Sequence, residues 1–373
     1  LKYSFKKLPF KELNLTSKVR IALDAMGGDY GPHVVVEGAI QAVEEYGPMV
    51  ELVLVGDSEL IRKETERYKM KVPPFEVIHT TENVGMSDKA IEAYRKKKNS
   101  SLSLSLELQK KGDVVATVSA GNTGAVMSHS LLTLGRLQGI HRPAIAVVFP
   151  TEKDKAVLID VGANPNCKPS HMYQFGVMGS VYANIIHEKP NPRVGLLSIG
   201  EESSKGNEVT VDTNKLFSKS KLNFYGNIEG RDILAGNCDV IVCDGFVGNI
   251  ILKFAESIGG FFRSQAIRHV GKNLLSNIGA VLMRPVMRRV REKMDYAEYG
   301  GAPLLGIDGI CIICHGGSSP KAIKNAIGVA AVLAGDGINE RIKEMLELNG
   351  DLGDKDSNGD AVARHRVDSI NGS

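Results

Sequence analysis

An α/β fold with a mostly parallel central sheet is predicted by two features of this sequence. Short continuous apolar runs recur along the chain, each ending in a polar, glycine-bearing turn. Segments of helical period separate them. Such runs read as strands buried on both faces, with helices covering the sheet above and below. The 373 residues, 43% hydrophobic and 24% charged, are ordinary for a globular enzyme and exceed one typical domain.

The first run, residues 19–23, enters Asp24-Ala-Met-Gly-Gly-Asp29, and Pro32 opens an amphipathic helix. Gly28 and Gly31 offer close backbone approach, and a helix N-terminus there favours an anion. A tight strand-to-helix turn would use the same residues. The next run, 114–120, leads into Gly121-Asn-Thr-Gly124, which offers backbone N–H groups, the Asn122 amide and the Thr123 hydroxyl. Residues 156–159 lead into Asp160-Val-Gly-Ala-Asn164. Residues 194–199 precede a long turn holding Lys205 and Asn207. Residues 240–243 lead into Asp244-Gly-Phe-Val-Gly-Asn249. Residues 310–314 lead into His315-Gly-Gly-Ser-Ser319, and Pro320 fixes the first turn of another helix. These six turns are expected to converge on one edge of the sheet as a shared cleft.

Residues 1–17 read as a loose leader, and 18–348 as the α/β domain. Residues 349–373 turn to Gly, Asp, Asn and Ser and read as a disordered tail. No run approaches the roughly 18–20 apolar residues of a spanning helix, and the N-terminal segment has no signal-peptide core. Five cysteines without a secretory signal read as reduced thiols of a cytosolic protein. Cys311 and Cys314 form a C-x-x-C inside an apolar run, and no second pair has zinc spacing. Buried small residues are the simpler reading there.

Basic charge concentrates in residues 261–296, through Arg263, Arg268, Arg284, Arg288, Arg289 and their neighbours. The net charge of the whole chain is only +3, so the remainder is acidic. Leu274, Leu275, Ile278 and Leu282 recur at helical spacing, and Pro285 is expected to divide the segment into two amphipathic helices. A basic amphipathic hairpin suits an anionic membrane surface, an acidic partner or a second subunit. Aromatics do not interleave the basic stripe, which argues against nucleic acid.

The stretch Asp24-Ala-Met-Gly-Gly-Asp29 resembles the opening signature of bacterial acyl-carrier-protein:phosphate acyltransferases. The resemblance continues, in the family's order, through Arg95-Lys-Lys-Lys-Asn-Ser-Ser101, Ser119-Ala-Gly-Asn-Thr-Gly124, Arg142-Pro143 and Asp160-Val-Gly-Ala-Asn164. It extends through Met178-Gly-Ser180, Lys205-Gly-Asn-Glu208, Asp244-Gly-Phe246 with Gly248-Asn249, Tyr299-Gly-Gly301 and His315-Gly316. Each motif alone has low specificity; the ordered set is specific. It implies a three-layer α/β/α enzyme, similar in fold to isocitrate and isopropylmalate dehydrogenases and to phosphate acetyltransferases. The implied reaction moves a long acyl chain from acyl carrier protein to inorganic phosphate. The acyl phosphate then feeds a membrane glycerol-3-phosphate acyltransferase of phospholipid synthesis. The resemblance also implies a cytoplasmic homodimer, peripherally bound to the inner membrane through the hairpin.

Such chemistry must hold a dianion, place its oxygen near a thioester carbon and stabilise an oxyanion. Asp24, Gly27, Gly28, Asp29, Gly121, Asn122, Thr123, Gly124, Asn164 and Asn207 are the candidate phosphate and substrate contacts. Lys205 is the candidate cation, although an exposed turn lysine is the plainer reading. Asn249 and Asn207 offer amide donors or helix caps. Asp244 is an orienting group or a cap, and His315 an acid–base group or a structural histidine. A thiolate leaving group needs little protonation, no nucleophile elbow is present, and neither metal nor cofactor is required. Arg95, Lys96, Lys97 and Lys98, together with the 284–293 run, are candidate docking charges for an acidic carrier. Leu274, Leu275, Ile278 and Leu282 form a candidate acyl-binding or membrane face.

Two positions depart from the family pattern. Ile313 stands where a lysine is often found, and Tyr30-Gly31 replaces a more usual His-Ala pair. Three alternatives stay open: a nicotinamide-dependent dehydrogenase of related fold, a coenzyme A-dependent phosphate acetyltransferase, and an inactive lipid-surface scaffold. The dehydrogenase lacks a G-x-G-x-x-G with a following acid, and a scaffold has no need of six polar strand-end turns.

Overall fold

The computed structural model describes residues 18–69, 73–269 and 299–350, with 279, 282, 283, 285 and 286. Eleven strands form one sheet in the order β3-β2-β1-β4-β11-β10-β5-β6-β9-β7-β8. β1 (Val19–Asp24) pairs in parallel with β2 (Val50–Gly56) and β4 (Ala116–Ser119). β3 (Glu76–His79) extends this half beyond β2, and β11 (Ile310–Ile313) extends it beyond β4. The second half holds β6 (Lys155–Ile159), β9 (Val240–Val242), β7 (Arg193–Leu197) and β8 (Asn223–Ile228), again parallel to one another.

The halves meet through two strands of opposite sense. β10 (Ala302–Leu305) pairs antiparallel with β11 through Ala302 and Pro303, then with β5 (Ala144–Pro150) through Leu304 and Leu305. β5 is in turn antiparallel to β6. Seven of the ten pairings are therefore parallel, as expected of a mostly parallel sheet.

This pairing corrects one expectation. Three reversals separate β11 from β6, so the two parallel groups run in opposite senses. The six polar turns do not share one edge of the sheet. Those after β1, β4 and β11 form one group, and those after β6, β7 and β9 form another. Nothing local in an apolar run reports the direction in which its neighbour runs.

Helices cover both faces, giving three layers. On one face lie α1 (His33–Tyr46), α6 (Pro169–His187) and α7 (Glu208–Lys219), joined by α9 (Pro320–Gly335) and α10 (Ile338–Asn349). α1 and α9 approach closely because Gly38 has no side chain; a Cβ there would meet Ile323 Cβ at 2.6 Å. α2 (Ser58–Glu66) joins this layer through Ile61. On the opposite face lie α3 (Ala90–Lys96), α4 (Ser101–Lys111), α5 (Thr123–Thr133) and the 25-residue α8 (Gly245–His269). Burial of Leu102, Leu106, Ala125 and Val126 against the sheet anchors α4 and α5. α8 presents Ile251, Leu252 and Ala255 to the sheet. Its other side exposes Phe246, Ile250 and Phe254, at 62%, 53% and 66%.

Residues 261–269 of the basic segment are the end of α8, and Leu282, Met283, Pro285 and Val286 are helical and exposed. Leu274, Leu275, Ile278, Arg284, Arg288 and Arg289 lie outside the described residues, as do the leader at 1–17 and residues 351–373 of the expected tail. The first residue of that tail, Asn349, instead ends α10, buried and accepting the Lys221 N–H at 2.7 Å. No helix among the described residues is long and apolar enough to cross a membrane.

Candidate active site

β1 ends on Asp24, a fully buried carboxylate. It accepts the hydroxyls of Ser101 at 2.6 Å and Ser119 at 2.7 Å. Burial pushes its pKa above the usual carboxylate range, against the pull of those hydroxyls and of the Met26 and Gly27 N–H groups. Above it the glycine loops close on one another. A Cβ on Gly27 would lie 2.7 Å from Asp24 Oδ2 and 2.8 Å from the Gly121 nitrogen. Gly28 has φ +92°, and a Cβ there would meet the Gly316 oxygen at 3.0 Å, so side chains are excluded twice over. The Asp29 N–H donates to the Gly316 oxygen at 2.9 Å, which ties the first turn to the last.

Asn122 is spent on structure. Its Oδ1 accepts the Ala125 N–H at 3.0 Å as the N-cap of α5, and its Nδ2 donates to the Met86 oxygen at 2.6 Å. Thr123, in the first turn of α5, stays exposed. His315 follows β11, and its Nδ1 accepts the Gly317 N–H at 3.0 Å. The neutral ring therefore carries its proton on Nε2. Ser319 caps α9 through the Ala322 N–H at 3.2 Å.

In the second group, Asp160 is fully buried and collects N–H donors from Ile145, Gly162, Ala163 and Asn164. Burial pushes its pKa up against those donors. Asn164 gives its amide to the Pro143 oxygen at 2.7 Å and to Asp160 at 3.0 Å. Asp160 and Asn164 thus clamp the start of β5 to the end of β6. Asp244 Oδ1 caps α8 at the Val247 N–H, 2.8 Å, and Asn207 Oδ1 caps α7 at the Thr210 N–H, 2.9 Å. Asn249 and Lys205 have no side-chain hydrogen bond or ion pair among the described residues. Lys205 is exposed on the β7–α7 turn, whose Ser198 hydroxyl donates to its carbonyl at 3.0 Å.

A cavity of about 1190 Å³ joins the two groups. Thr123, His315, Asp244, Asn249 and Asn207 all line it. First-turn residues of four helices reach its wall: Thr123 of α5, Thr210 of α7, Val247 of α8 and Ala322 of α9. Each helix N-terminus carries a partial positive charge, so each of these turns favours an anion in its own part of the cavity. Gly206 and Asn207 of the wall place Lys205 beside it, although Lys205 is not itself a lining residue. Asp24, Gly27, Gly28, Asp29, Gly121, Gly124 and Asn164 also lie off the wall, and the first five belong to the packed loops just described.

Much of the rest of the wall is apolar and was not foreseen, although Lys253 and Glu256 of α8 also reach it. Ile145, Val147 and Phe149 of β5 contribute alternate side chains, and Ile251, Leu252 and Ala255 come from α8. No polar residue or glycine marks 144–149, so the sequence held no signal beyond an apolar run. Ile313, at the position where a lysine resembles the family better, is buried and lines the same wall. Leu282, placed on a candidate acyl-binding or membrane face, is 72% exposed and does not line this cavity.

The basic cluster ending α3 is partly committed. Lys97 pairs with Asp88 at 2.6 Å and donates to the Asn83 oxygen at 2.9 Å. Lys98 lies 3.7 Å from the Tyr94 ring centre, and Lys96 pairs loosely with Glu92 at 3.6 Å. Arg95, Lys96 and Lys98 remain on the surface. Cys311 and Cys314 are buried, with burial raising their pKa values to about 11 and about 12.

Comparison with known proteins gives consistent results. The model of the family described as "Fatty acid synthesis protein" matches residues 19–341. A phosphate acyltransferase of Citrifermentans bemidjiense is 51% identical over 328 residues, covering 88% of this chain and 93% of that protein. The phosphate acyltransferase of Pelotomaculum thermopropionicum is 48% identical over 329 residues, 88% of this chain and 95% of its own. Among solved structures, a phosphotransacetylase from Streptococcus pyogenes superposes with a TM-score of 0.60 at 16% identity, over 87% of this chain and 96% of its own. A branched-chain phosphotransacylase from Enterococcus faecalis gives 0.54 at 12% identity, over 85% and 99%. At those identities the solved structures share the fold alone.

Proposed function

The chain belongs to the fatty acid synthesis protein family and is an acyltransferase of the phosphate acyltransferase type, and from that premise we propose its donor, acceptor site and surroundings. The donor is a long-chain acyl thioester of acyl carrier protein, and the acceptor is inorganic phosphate. A phosphate oxygen attacks the thioester carbon, forming the C–O bond. Collapse of the tetrahedral oxyanion breaks the C–S bond and releases the carrier thiolate with its electron pair. The observation that carries this reading is one cavity whose wall combines the first turns of four helices with a largely apolar bed from β5 and α8.

Phosphate sits against the first turns of α5 and α9, near Thr123 and His315. Lys205 neutralises charge from the β7–α7 turn, and the Asn249 amide donates to the developing oxyanion without changing its own charge. Asp244 holds the α8 turn in place. Acyl phosphate then serves a membrane glycerol-3-phosphate acyltransferase. The exposed apolar stripe of α8 pairs two copies of the chain, and the basic segment at 261–296 rests on the inner membrane surface. Arg95, Lys96 and Lys98 steer the acidic carrier.

Mass-spectrometric detection of acyl phosphate tests the reading. Purified protein is incubated with palmitoyl acyl carrier protein and inorganic phosphate, without metal or nicotinamide. Phosphate-dependent product with release of the carrier thiol supports it. Product only from palmitoyl coenzyme A, run in parallel, replaces the donor. Folded protein that yields product from neither donor overturns the proposed reaction.

A further inference from the structure

The cavity is larger than its polar contacts require. Its 1190 Å³ exceeds the roughly 300–1,000 Å³ usual for small-molecule sites. Phosphate and a short acyl group would leave much of it as water against aliphatic walls. Ile145, Val147 and Phe149 project from one face of β5, because side chains of a strand alternate. Ile251, Leu252 and Ala255 of α8 join the same apolar cluster from the opposite side. Lys253 and Glu256 of α8 also line the cavity but are exposed, and much of the other polar lining belongs to the strand-end turns.

We infer that the aliphatic trough between β5 and α8 holds the alkyl part of the acyl donor, and that Val147 and Ala255 set the chain length it accepts. This inference rests on the proposed acyl transfer to phosphate and adds where the chain lies and which side chains limit its length. From residue 145 to residue 149, β5 spans about 13 Å. With C–C bonds of about 1.5 Å, that is the reach of roughly ten methylenes in a zigzag. Each methylene buried against the trough favours binding by about fourfold. Val147 and Ala255 are both half-buried and small for their positions, so an aromatic ring at either would occupy space the chain needs.

The test uses the full chain, with Val147→Phe and Ala255→Phe made separately. Acyl phosphate formation is followed with butyryl, octanoyl and palmitoyl donors. Binding of the fluorescent fatty acid cis-parinaric acid is titrated in parallel. Displacing two or three methylenes should lower the palmitoyl-to-octanoyl ratio at least about tenfold in both variants. Parinaric affinity should fall by a similar factor. Folded variants that keep the wild-type ratio and the wild-type affinity overturn the inference. So does a wild-type protein that binds no parinaric acid. If Ala255→Phe does not fold, Ala255→Leu gives the same reading with a smaller change. A wild-type protein that makes no acyl phosphate from any donor, yet loses parinaric binding in both variants, keeps the trough and removes the proposed reaction.

Discussion

Ser119 donates its hydroxyl to Asp24 Oδ2 at 2.7 Å, where β1 and β4 end side by side. Ser119 Oγ in turn accepts the Gly121 N–H at 3.1 Å, so one buried carboxylate holds both glycine loops. Asp24→Ala would strand the Ser101 and Ser119 hydroxyls in the interior. The expected loss is about 2–5 kcal/mol in urea unfolding, with activity lost in parallel. Asp24→Asn keeps an acceptor and should cost less. Its pH profile should also differ. The folded-state pKa of Asp24 is raised, so its stabilising share is present at acid pH and lost as pH rises through the folded value. The gap between wild type and Asp24→Asn should therefore narrow as pH rises from about 4. A gap that widens would show that the carboxylate is preferred in its charged form.

Lys205 separates a mechanistic role from a structural one cleanly, because its side chain is exposed and its turn is held by backbone contacts. Lys205→Ala should leave the melting temperature within about 1 °C, as surface substitutions usually do. Turnover should fall by about tenfold to a hundredfold if the ammonium neutralises phosphate or the oxyanion. Lys205→Arg should restore part of it. Wild-type kcat/KM in Lys205→Ala would remove the residue from the mechanism.

How far the sequence carried these assignments depends on the kind of interaction. Asp24, Asp244 and His315 were singled out because each follows an apolar run and begins a polar, glycine-bearing turn, and Thr123 because it lies within such a turn, which is a local pattern. The capping roles of Asn207 and Asp244 were legible only as one of two readings, since the same side chain serves either purpose, and that of Asn122 was not read at all. Strand direction was not legible. β10 is four residues long and pairs with β5, more than 150 positions earlier, through contacts that no local period encodes. That reversal divided the expected single cleft edge into two groups. The aliphatic trough escaped notice for the opposite reason: Val147 and Phe149 look like any buried strand until α8 stands beside them.

α8 is apolar on both sides. Ile251, Leu252 and Ala255 face the sheet while Phe246, Ile250 and Phe254, each four residues apart, face out. An exposed apolar stripe on a helix, here beside Lys253 and Glu256, marks a surface that a partner covers. If a second copy covers it, Ile250→Glu with Phe254→Glu should convert the protein to a monomer in sedimentation velocity. Unfolding should become independent of protein concentration at the same time. A dimer that persists in this double variant would place the subunit contact elsewhere.

His187 ends α6 with both ring nitrogens buried and without a hydrogen-bond partner among the described residues. Burial lowers its pKa from the ordinary histidine value to about 4, with nearby Lys155 adding to the effect. A base whose folded pKa is depressed stabilises the fold above its unfolded value, and that share is lost as pH falls toward the folded one. Stability should therefore drop between about pH 6.5 and pH 4, by as much as about 3 kcal/mol at the low end. His187→Leu removes both unpaired nitrogens and the proton uptake together. It should match or exceed wild-type stability at pH 7 and gain on it steadily toward pH 5, read by urea unfolding at each pH. Parallel profiles for the two proteins would mean that His187 finds a partner or water in solution and does not drive the acid loss.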